Sequence, residues 1–396
     1  MNHPGSESDR VRSASLSIFV AHPSSLLTDH RPHGDGLLAY RFITELASHG
    51  HHLYVAAERA DLRSAPPANV DIHELGAVDA RDPLARVRYM HRLRRLFDHL
   101  RGTARLELVH QLNPVHVGIS LALVDSGLPV VLGPYVPDWP DRSSGLAAGA
   151  IMRRRASDLA RGALAAIQQR RATALLLSSP AAAAKLHRGT PLASVYELPY
   201  GIDADVWIPK PEREPGHQIL FVGRLHRHKG IFELLDAFEQ ITRRFPAARL
   251  TVVGAGPAQE ELERRVHAGS ARSSVRLLGS LERTATIEMV RDCDVFCLPS
   301  HAEPFGLGAL EAMACAKPVV ASRAGGLEHL VDDDGGCRVA PGDVPALAAA
   351  LETLLAEPDL RWRMGEHNRR RVQSRYTWSR VIDRLERIYA ETMARR

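Results

Sequence analysis

The sequence predicts an α/β fold built from two doubly wound, mostly parallel sheets. The chain has 396 residues, which is more than one hydrophobic core usually holds, so two domains are expected. Short, uninterrupted apolar runs recur in both halves, and such runs are typical of strands buried on both faces of a parallel sheet. Helix-length segments lie between these runs, as repeated strand–helix units require.

The N-terminal half begins with a strand, a loop, a helix and a second strand. The loop carries Gly34 and Gly36, and the helical pattern extends from Leu37 to about Ser48. The apolar runs that predict strands in this half cover residues 16–21, 52–57, 106–112, 128–135 and 172–179.

The C-terminal half repeats this scheme, with a helix predicted over residues 231–245. Its predicted strands cover residues 218–223, 248–254, 275–279, 294–300, 317–322 and 336–340. A stretch rich in Pro and Gly at residues 198–218 lacks periodicity and indicates the joint between the halves. We therefore expect the sequence to divide into a disordered N-terminus (1–15), an N-terminal domain (16–205), a C-terminal domain (206–376) and a last helix (377–396).

The composition restricts the function classes without selecting one. Hydrophobic residues make up 45% and charged residues 24% of the chain, as in ordinary globular proteins. A net charge of +5 permits an anionic substrate, a nucleic acid or a membrane surface. The sequence contains no apolar run long enough for a membrane span, and its polar start does not resemble a signal peptide. The four cysteines lack zinc-finger spacing, so we expect buried thiols in a reducing cytoplasm.

Nucleotide-binding motifs that use glycine loops are poorly matched. The sequence lacks the GxxxxGK[ST] pattern of phosphate-loop NTPases. The stretch GAGPAQ (254–259) follows a strand but lacks the third glycine of a dinucleotide-binding fingerprint. We therefore expect neither nucleotide hydrolysis of that class nor an NAD cofactor, and no cofactor is predicted.

A cationic pair follows the first strand of the C-terminal half. In the stretch FVGRLHRHKG (221–230), Gly223 ends the strand, and Arg224 and Lys229 follow. Lys229 is one of four lysines in a chain with 51 Lys and Arg residues, so a lysine at this position is unusual here. Ligands of open α/β sheets bind beyond the carboxyl ends of strands, which makes this loop a candidate site. The alternative is a pair of solvated surface cations.

An acidic loop and a glycine-rich helix start follow a later strand. In LPSHAEPFGLGALEAMACAKPVVASRAGGLEHL (298–330), Glu303 lies in the loop and Glu311 lies in the helix that begins near Gly306. Backbone N–H groups at a helix N-terminus favour an anion. The alternative reading makes Glu303 an ordinary loop carboxylate and Glu311 a residue of the helix surface.

Together, these motifs resemble glycosyltransferase family 4, a family of retaining enzymes with the GT-B fold. The resemblance rests on Arg224 and Lys229 in GRLHRHKG, on Glu303 and Glu311 in an E-x7-E frame, and on AGGLE downstream. It extends through most of residues 216–376 and is looser in the N-terminal half. It implies two Rossmann-like domains facing each other across a cleft, with residues 16–205 as the acceptor domain and residues 206–376 as the nucleotide-sugar domain. It also implies sugar transfer from a nucleotide-sugar.

The resemblance implies a role for each residue of the C-terminal motifs. Arg224 and Lys229 would hold the donor diphosphate, so that no divalent metal is needed. Glu303 would accept hydrogen bonds from the hydroxyls of the transferred sugar, and Glu311 from those of the ribose. The remaining donor-binding residues that it implies are Gly223, Gly254, Phe305, Gly306 and Leu307.

In the N-terminal half, the family often places a histidine near the reacting carbon, and His110 follows a predicted strand. Many members have a second histidine where this chain has Leu112, and often an acid where it has Asn113. A catalytic and a structural role of His110 therefore both stay open, and His116 is a weaker substitute.

The HGDG stretch containing Gly34 and Gly36 would lie on the acceptor side. In GT-B proteins the last helix crosses back onto the first domain, so we expect residues 377–396 to do so. The basic segment 142–171 has seven arginines and one aspartate, a local charge of +6. This segment either docks peripherally on anionic lipid or forms a solvated helix.

The predicted function is transfer of a hexose from a nucleotide-sugar, UDP-glucose or UDP-N-acetylglucosamine, to a hydroxyl acceptor. The resemblance implies a front-face mechanism on one side of the sugar, and no nucleic acid partner is expected. The alternatives are a GT-B nucleotide-sugar epimerase and a non-catalytic protein that keeps the donor site. The acceptor, whether lipid, polysaccharide or small metabolite, is left open by the sequence.

Overall fold

The computed structural model describes residues 15–24, 26–31, 34–77, 82–113, 117–137, 148–210 and 216–395, without the side chains of residues 83 and 148–158. Apart from Ser15, the predicted disordered N-terminus lies outside these ranges. His116 and residues 142–147 of the basic segment also lie outside them.

The described chain contains parallel strands that alternate with helices. The strands are β1 (Ser17–His22), β2 (Leu27–Thr28), β3 (His52–Ala57), β4 (Ala60–Asp61), β5 (Val70–Glu74), β6 (Leu108–Gln111), β7 (Val130–Tyr135), β8 (Ala174–Leu177), β9 (Val195–Glu197), β10 (Gln218–Val222), β11 (Arg249–Val253), β12 (Val275–Leu277), β13 (Val295–Leu298), β14 (Val319–Ser322) and β15 (Gly336–Val339). The helices are α1 (Gly34–Ser48), α2 (Pro83–Thr103), α3 (Ala148–Arg171), α4 (Ile231–Ile241), α5 (Gln259–Ala268), α6 (Arg283–Asp292), α7 (Leu307–Ala314), α8 (Leu327–Leu330), α9 (Val344–Ala356), α10 (Pro358–Arg375) and α11 (Trp378–Ala394).

Two larger sheets organise these elements. The first has seven strands in the order β5-β3-β1-β6-β7-β8-β9, and the second has six in the order β12-β11-β10-β13-β14-β15. All pairings within the second sheet are parallel. Strands β1, β10 and β13 are almost entirely buried, which explains why their sequences are apolar runs without alternation.

The chain separates into two compact units. Unit 1 comprises residues 1–133, 167–175 and 382–396, and unit 2 comprises residues 134–166 and 176–381. The last helix therefore contributes most of its length to unit 1. The domain bounds expected from the sequence stay predictions.

Several element ends differ from the sequence-based expectation for physical reasons. Helix α1 begins at Gly34, three residues before the first apolar position of the pattern, because the first turn of the helix is mostly exposed. Helix α4 ends at Ile241, since the following residues form turns that lead into β11. Strand β5 was not predicted; its sequence, VDIHE, alternates apolar and polar residues, as fits a strand at the edge of the first sheet.

Candidate active site

The second sheet places the cationic loop and the acidic loop side by side. Its strand order reverses direction at β10, which lies between β11 and β13. In sheets of this order, ligands bind outside the carboxyl ends of the strands at this switch point. The loop after β10 carries Arg224 and Lys229, and the loop after β13 carries Glu303. The topology therefore brings together two motifs that lie over 70 residues apart in the sequence.

The cationic loop ends in a tight turn that buries its lysine. Residues Arg227–Lys229 form a short 3₁₀ helix, and Gly230 follows with a φ of 69° before α4 begins. A Cβ atom at Gly230 would overlap the carbonyl oxygen of Pro299, so only glycine allows this close approach. Lys229 is 8% exposed, whereas Arg224 lies exposed on the same loop. Among the described residues, no ion pair is recorded for Arg224.

Lys229 and Glu303 form a buried ion pair. The Lys229 Nζ atom lies 2.6 Å from the Glu303 Oε2 atom, and each side chain is 10% exposed. The Ser300 hydroxyl donates a longer hydrogen bond of 3.4 Å to the same carboxylate oxygen. Burying a charge is tolerated when an opposite charge and further hydrogen bonds compensate it. The Lys229–Glu303 bond and the Ser300 hydroxyl therefore provide hydrogen-bond partners for polar groups that are buried in unit 2.

Backbone hydrogen bonds hold the acidic loop in place. The His301 N–H donates to the His228 carbonyl oxygen at 2.8 Å and ties this loop to the cationic one. The Gly326 N–H donates to the Glu303 carbonyl oxygen at 2.8 Å, and the Ser322 hydroxyl donates to the Ser300 carbonyl oxygen. The glycine pair of AGGLE therefore supports Glu303. It precedes a helix of only four residues, α8, and not an extended anion-binding helix.

The start of α7 offers unused hydrogen-bond donors. Gly306 caps the helix with a φ of 99°, a conformation that favours glycine. No backbone acceptor is recorded among the described residues for the N–H groups of Phe305, Gly306 and Leu307. The first N–H groups of a helix have no partner within the helix, and the helix dipole makes this end favourable for negative charge. These three amides are thus available to an anionic or polar ligand.

Tyr200 supports the same helix start from another part of unit 2. Its ring packs edge to face against the Phe305 ring, with centroids 5.2 Å apart and planes at 88°. Both side chains are buried. The next residue, Gly201, lies so close to the Trp378 ring that a Cβ atom would overlap it, and the Ile202 N–H donates to the Tyr376 carbonyl oxygen at 2.8 Å. The segment around Tyr200 therefore holds the Phe305 side chain in place at the start of α7.

Glu311 lies on α7, one turn beyond the free amides. Its side chain is half-buried, and within the described ranges its carboxylate has no hydrogen bond or ion pair. Desolvation raises the pKa of Glu311 to about 7, although the charge of Arg283 acts to lower it. A ligand that donates hydrogen bonds, such as a pair of hydroxyls, would stabilise the ionised form of this desolvated carboxylate.

Gly223 and Gly254 serve the packing of the loops. The Gly223 N–H donates to the Val253 carbonyl oxygen at 3.0 Å, and the Gly254 N–H donates to the Gly279 carbonyl oxygen at 2.7 Å. A Cβ atom at Gly254 would overlap the Gly223 carbonyl oxygen. Both N–H groups donate to backbone carbonyls within the protein, so these glycines contribute to the packing of the loops after β10 and β11.

His110 lies in unit 1, at the third position of β6, and is fully buried. Its Nε2 atom lies 3.0 Å from the Gly133 carbonyl oxygen, and its Nδ1 atom lies 2.6 Å from the Tyr389 hydroxyl. A carbonyl can only accept, so Nε2 carries the proton and Nδ1 accepts from Tyr389. Desolvation lowers the pKa of His110 to about 4, although the hydrogen bond to Gly133 acts to raise it. The ring is therefore neutral near pH 7, with both nitrogens in use.

Gly34 and Gly36 both lie in the first turn of α1 in unit 1. Gly34 is exposed and has open space where a Cβ atom would stand, whereas Gly36 is buried. The acceptor role predicted for them stays a prediction.

The sequence-based reasoning missed three residues that support the site: Tyr200, Ser300 and Ser322. Ser300 and Ser322 each stand at the carboxyl end of a predicted strand, which is the signal that could have identified them. Tyr200 lies in the aperiodic joint, where nothing in the sequence indicates a contact with Phe305.

Comparison with known proteins supports this interpretation of unit 2. Residues 205–371 match the family described as Glycosyl transferases group 1. Glycogen synthase of Mycobacterium tuberculosis is 34% identical over 205 residues, which cover 51% of this chain and 49% of that protein. The chain thus spans about half the length of the curated relatives it matches.

Two solved structures match over almost the whole chain. Sucrose-phosphate synthase of Thermosynechococcus elongatus is 21% identical, with a TM-score of 0.75, covering 96% of this chain and 100% of that one. HepE of Anabaena, solved in complex with UDP, is 18% identical, with a TM-score of 0.73 and the same coverage. The predicted GT-B fold is thereby confirmed, and residues 205–371 are similar to the glycosyl transferases of group 1.

Proposed function

We propose that the protein is a retaining glycosyltransferase that moves a hexose from a nucleotide-sugar to a hydroxyl acceptor. The observation that carries this proposal is the arrangement at the switch point of the second sheet. There the buried Lys229–Glu303 pair, the free amides at the start of α7 and the unpartnered Glu311 carboxylate lie in the segment that matches the family. These groups suit the phosphate, the sugar and the ribose of one donor molecule.

The positive groups stabilise the leaving diphosphate. When the bond between the sugar and the diphosphate breaks, negative charge accumulates on the phosphate oxygens. The exposed Arg224 guanidinium can clasp two of these oxygens, and the compact Lys229 ammonium fits a narrow gap. With the amides of Phe305, Gly306 and Leu307, these cations supply the charge that a divalent metal provides in other transferases. We therefore propose metal-independent transfer.

Lys229 and Glu303 can serve the donor without separating. A lysine ammonium has three N–H donors, and the bond to Glu303 occupies one of them. A phosphate oxygen is an acceptor of the same kind as the Glu303 carboxylate oxygen, so the ammonium suits both. The second oxygen of Glu303 can meanwhile accept a hydrogen bond from a sugar hydroxyl. The ion pair thus connects the charge that develops on the leaving group to the position of the transferred sugar.

Chemistry on one face of the sugar needs no carboxylate nucleophile. The bond from the anomeric carbon to the diphosphate oxygen breaks, and the acceptor oxygen forms its bond to the same carbon on the same face. The leaving phosphate takes the proton of the acceptor hydroxyl. Catalysis then depends on positioning and on charge stabilisation. The neutral, fully hydrogen-bonded state of His110 supports a structural role for this residue.

We propose a UDP-hexose, either UDP-glucose or UDP-N-acetylglucosamine, as the donor. HepE of Anabaena, which shares the fold, has been solved with UDP and with UDP-glucose. In this chain the Glu311 carboxylate suits the ribose of such a donor. The sequence motifs match an epimerase less well, and the experiment below separates the two activities.

We further propose that the protein works in the cytoplasm, where its four free cysteines stay reduced, and touches a membrane surface through the basic segment 142–171. The support is the described part of α3, where Leu159, Leu164 and Ile167 are exposed beside Arg161 and Arg170. An exposed apolar face flanked by arginines suits anionic lipid. None of the described helices combines the length and the apolar composition of a membrane span.

The proposal is tested by incubating the protein with UDP-glucose and UDP-N-acetylglucosamine in EDTA, without acceptor, and following the sugar by ¹H NMR. Slow release of a free sugar that first appears as the α-anomer is expected. Conversion to another UDP-sugar would indicate an epimerase. Hydrolysis that occurs only after magnesium or manganese is added would contradict metal independence, and a β-anomer would contradict retention.

The two carboxylates have different roles in this proposal, so their amide variants should differ. Glu303→Gln should weaken UDP-glucose roughly tenfold and leave UDP nearly unchanged, since the sugar hydroxyls are its partners. Glu311→Gln should weaken both ligands, because both contain the ribose. Calorimetric titration measures the four affinities, and equal loss of UDP affinity in both variants would refute the assignment.

A further inference from the structure

A second concave site lies in unit 2 beside the candidate donor site. This pocket has a volume of about 440 Å³ and lies between the 3₁₀ helix of the cationic loop, α4 and α5. Its size falls within the range of roughly 300–1,000 Å³ that is common for small-molecule sites. His228 and His301 form part of its wall. They are the sequence neighbours of Lys229 and Ser300, which belong to the candidate donor site.

The pocket is lined by charges that balance one another. Arg227 pairs with Glu261 on α5, Arg265 pairs with Asp236, and the His301 Nε2 atom lies 2.7 Å from a Glu233 carboxylate oxygen. Two arginines and two acids, Glu233 and Asp236, belong to the lining, so its formal charge is zero with histidine neutral. A strongly charged ligand would therefore meet as much repulsion as attraction. A neutral, polar ligand suits this lining better.

The lining retains unused hydrogen-bonding capacity. A guanidinium has five N–H donors, and the ion pairs of Arg227 and Arg265 occupy a fraction of them. Both guanidiniums lie over the Phe232 ring, at 5.1 and 5.3 Å from its centroid. The Glu233 Oε2 atom is buried and has no hydrogen-bond partner within the part of the chain that the structure describes. Such an oxygen needs a donor, and an approaching hydroxyl supplies one.

Guanidiniums that lie beside carboxylates are complementary to adjacent hydroxyl groups, which both donate and accept hydrogen bonds. We propose that this pocket binds a neutral sugar unit of the acceptor and that the acceptor is therefore a carbohydrate chain. The binding site follows from the pocket itself, whereas its assignment to the acceptor rests on the proposed transferase function. The chain would cross the pocket and present its terminal hydroxyl next to Lys229 and Glu303.

The probes are maltohexaose, cellohexaose and β-1,4-mannohexaose, which are neutral linear glycans that differ in the sugar or in the configuration of the linkage. Saturation-transfer NMR and calorimetry on the full-length protein should show that at least one of them binds. Glu233→Gln and Asp236→Asn should each weaken this binding at least tenfold, because each removes a charged acceptor. Glu260→Gln changes an exposed carboxylate on α5 outside the lining, and should leave the affinity within twofold. Thermal melting verifies that all three variants fold.

UDP-glucose separates this site from the donor site. The pocket variants should bind UDP-glucose as the wild type does, whereas Lys229→Gln should lose UDP-glucose and keep the glycan. The proposal is overturned if none of the three glycans binds, or if binding survives both pocket variants. It is also overturned if Lys229→Gln abolishes glycan binding together with UDP-glucose. A glycan that binds at the pocket of a protein without transferase activity would instead contradict the proposed function alone.

Discussion

At the scale of single residues, Lys229 has two proposed roles: it forms a buried ion pair that stabilises the fold, and it binds the leaving diphosphate. Its buried bond to Glu303 suits a lysine, whose ammonium is a compact point charge on a flexible stem. Removing one partner of a buried ion pair commonly costs about 3–5 kcal/mol, because the other charge stays buried without compensation. A test of catalysis at this position must therefore preserve a hydrogen bond to Glu303.

Lys229→Gln meets this condition, since its amide N–H can still donate to the Glu303 carboxylate. We expect the variant to fold and to lose roughly a hundredfold or more in hydrolysis of the donor, because one cation at the leaving diphosphate is gone. Steady-state rates of UDP release measure this loss. Lys317→Gln, at a half-buried lysine outside the site, is the matched control and should keep the wild-type rate. Unchanged rates in Lys229→Gln would contradict a role of Lys229 at the leaving diphosphate.

Glu311 connects pH to stability. Desolvation raises its pKa from 4.5 to about 7 in the folded protein, so between these values the folded state binds the proton that the unfolded state has released. The contribution of Glu311 to the free energy of unfolding is thus fully present below about pH 4.5 and is lost as the pH rises through 7. The shift corresponds to at most about 3 kcal/mol. We expect Glu311→Gln to stabilise the protein by about 1–3 kcal/mol at pH 8 and hardly at pH 5, as measured by urea unfolding. An equal effect at both pH values would contradict the raised pKa.

The same carboxylate should make donor binding depend on pH. The ribose hydroxyls are donors to an ionised Glu311, so UDP-glucose affinity should rise between about pH 6 and 8, with release of a proton. UDP-glucose is the appropriate ligand, because the terminal phosphate of free UDP itself titrates near pH 6. Calorimetry in two buffers with different ionisation enthalpies counts the released protons. In Glu311→Gln the proton release should disappear, and its persistence would assign the titration to another group.

At the scale of elements, apolar runs located the strands reliably, because burial on both faces of a parallel sheet leaves few polar positions. Strand β3 follows its predicted range without change, and β10 and β14 differ by one or two residues.

The predictions were weaker where contacts between distant segments decide the structure. Gly254 resembles a ligand-binding glycine in sequence, yet its N–H serves the backbone of Gly279. The burial of His110 depends on Tyr389, which lies 279 residues away. Local patterns contain no information on either contact.

Helix α3 has exposed apolar residues that we expect to bind an anionic membrane surface. Leu159 is 76% exposed and Ile167 is 43% exposed, and both lie on the side of the helix that carries Arg170. We expect sedimentation with vesicles of phosphatidylglycerol, weaker binding at high salt and little binding to neutral phosphatidylcholine. The double variant Leu159→Glu/Ile167→Glu should lose at least tenfold in vesicle binding. Leu192→Glu, at another exposed leucine, is the control, and equal loss there would argue against a defined docking face.

At the scale of the whole molecule, the last helix is an integral part of unit 1. Residues 382–396 group with residues 1–133 and 167–175. The Leu16 N–H donates to the His51 Nδ1 atom at 3.1 Å, so Nε2 carries the proton and donates to a Glu386 carboxylate oxygen at 2.9 Å. Tyr389 donates to His110 within the same unit. The C-terminal end of the chain therefore completes the packing around the first strands of the sequence.

The last prediction concerns what this helix stabilises. Leu385 is fully buried in α11, and Leu385→Ala should cost about 2–5 kcal/mol through the lost contacts and the cavity left behind. We expect the loss to fall on unit 1, so amide hydrogen exchange should accelerate in β1, β3 and β6. Strands β10 and β13 of unit 2 should keep their protection, because local opening follows the cooperative unit that is weakened. Arg387→Ala, at an exposed position of the same helix, should leave both sets of strands unchanged. Loss of protection confined to β10 and β13 would mean that α11 stabilises unit 2 instead, and would refute the expectation that the last helix serves the N-terminal part of the protein.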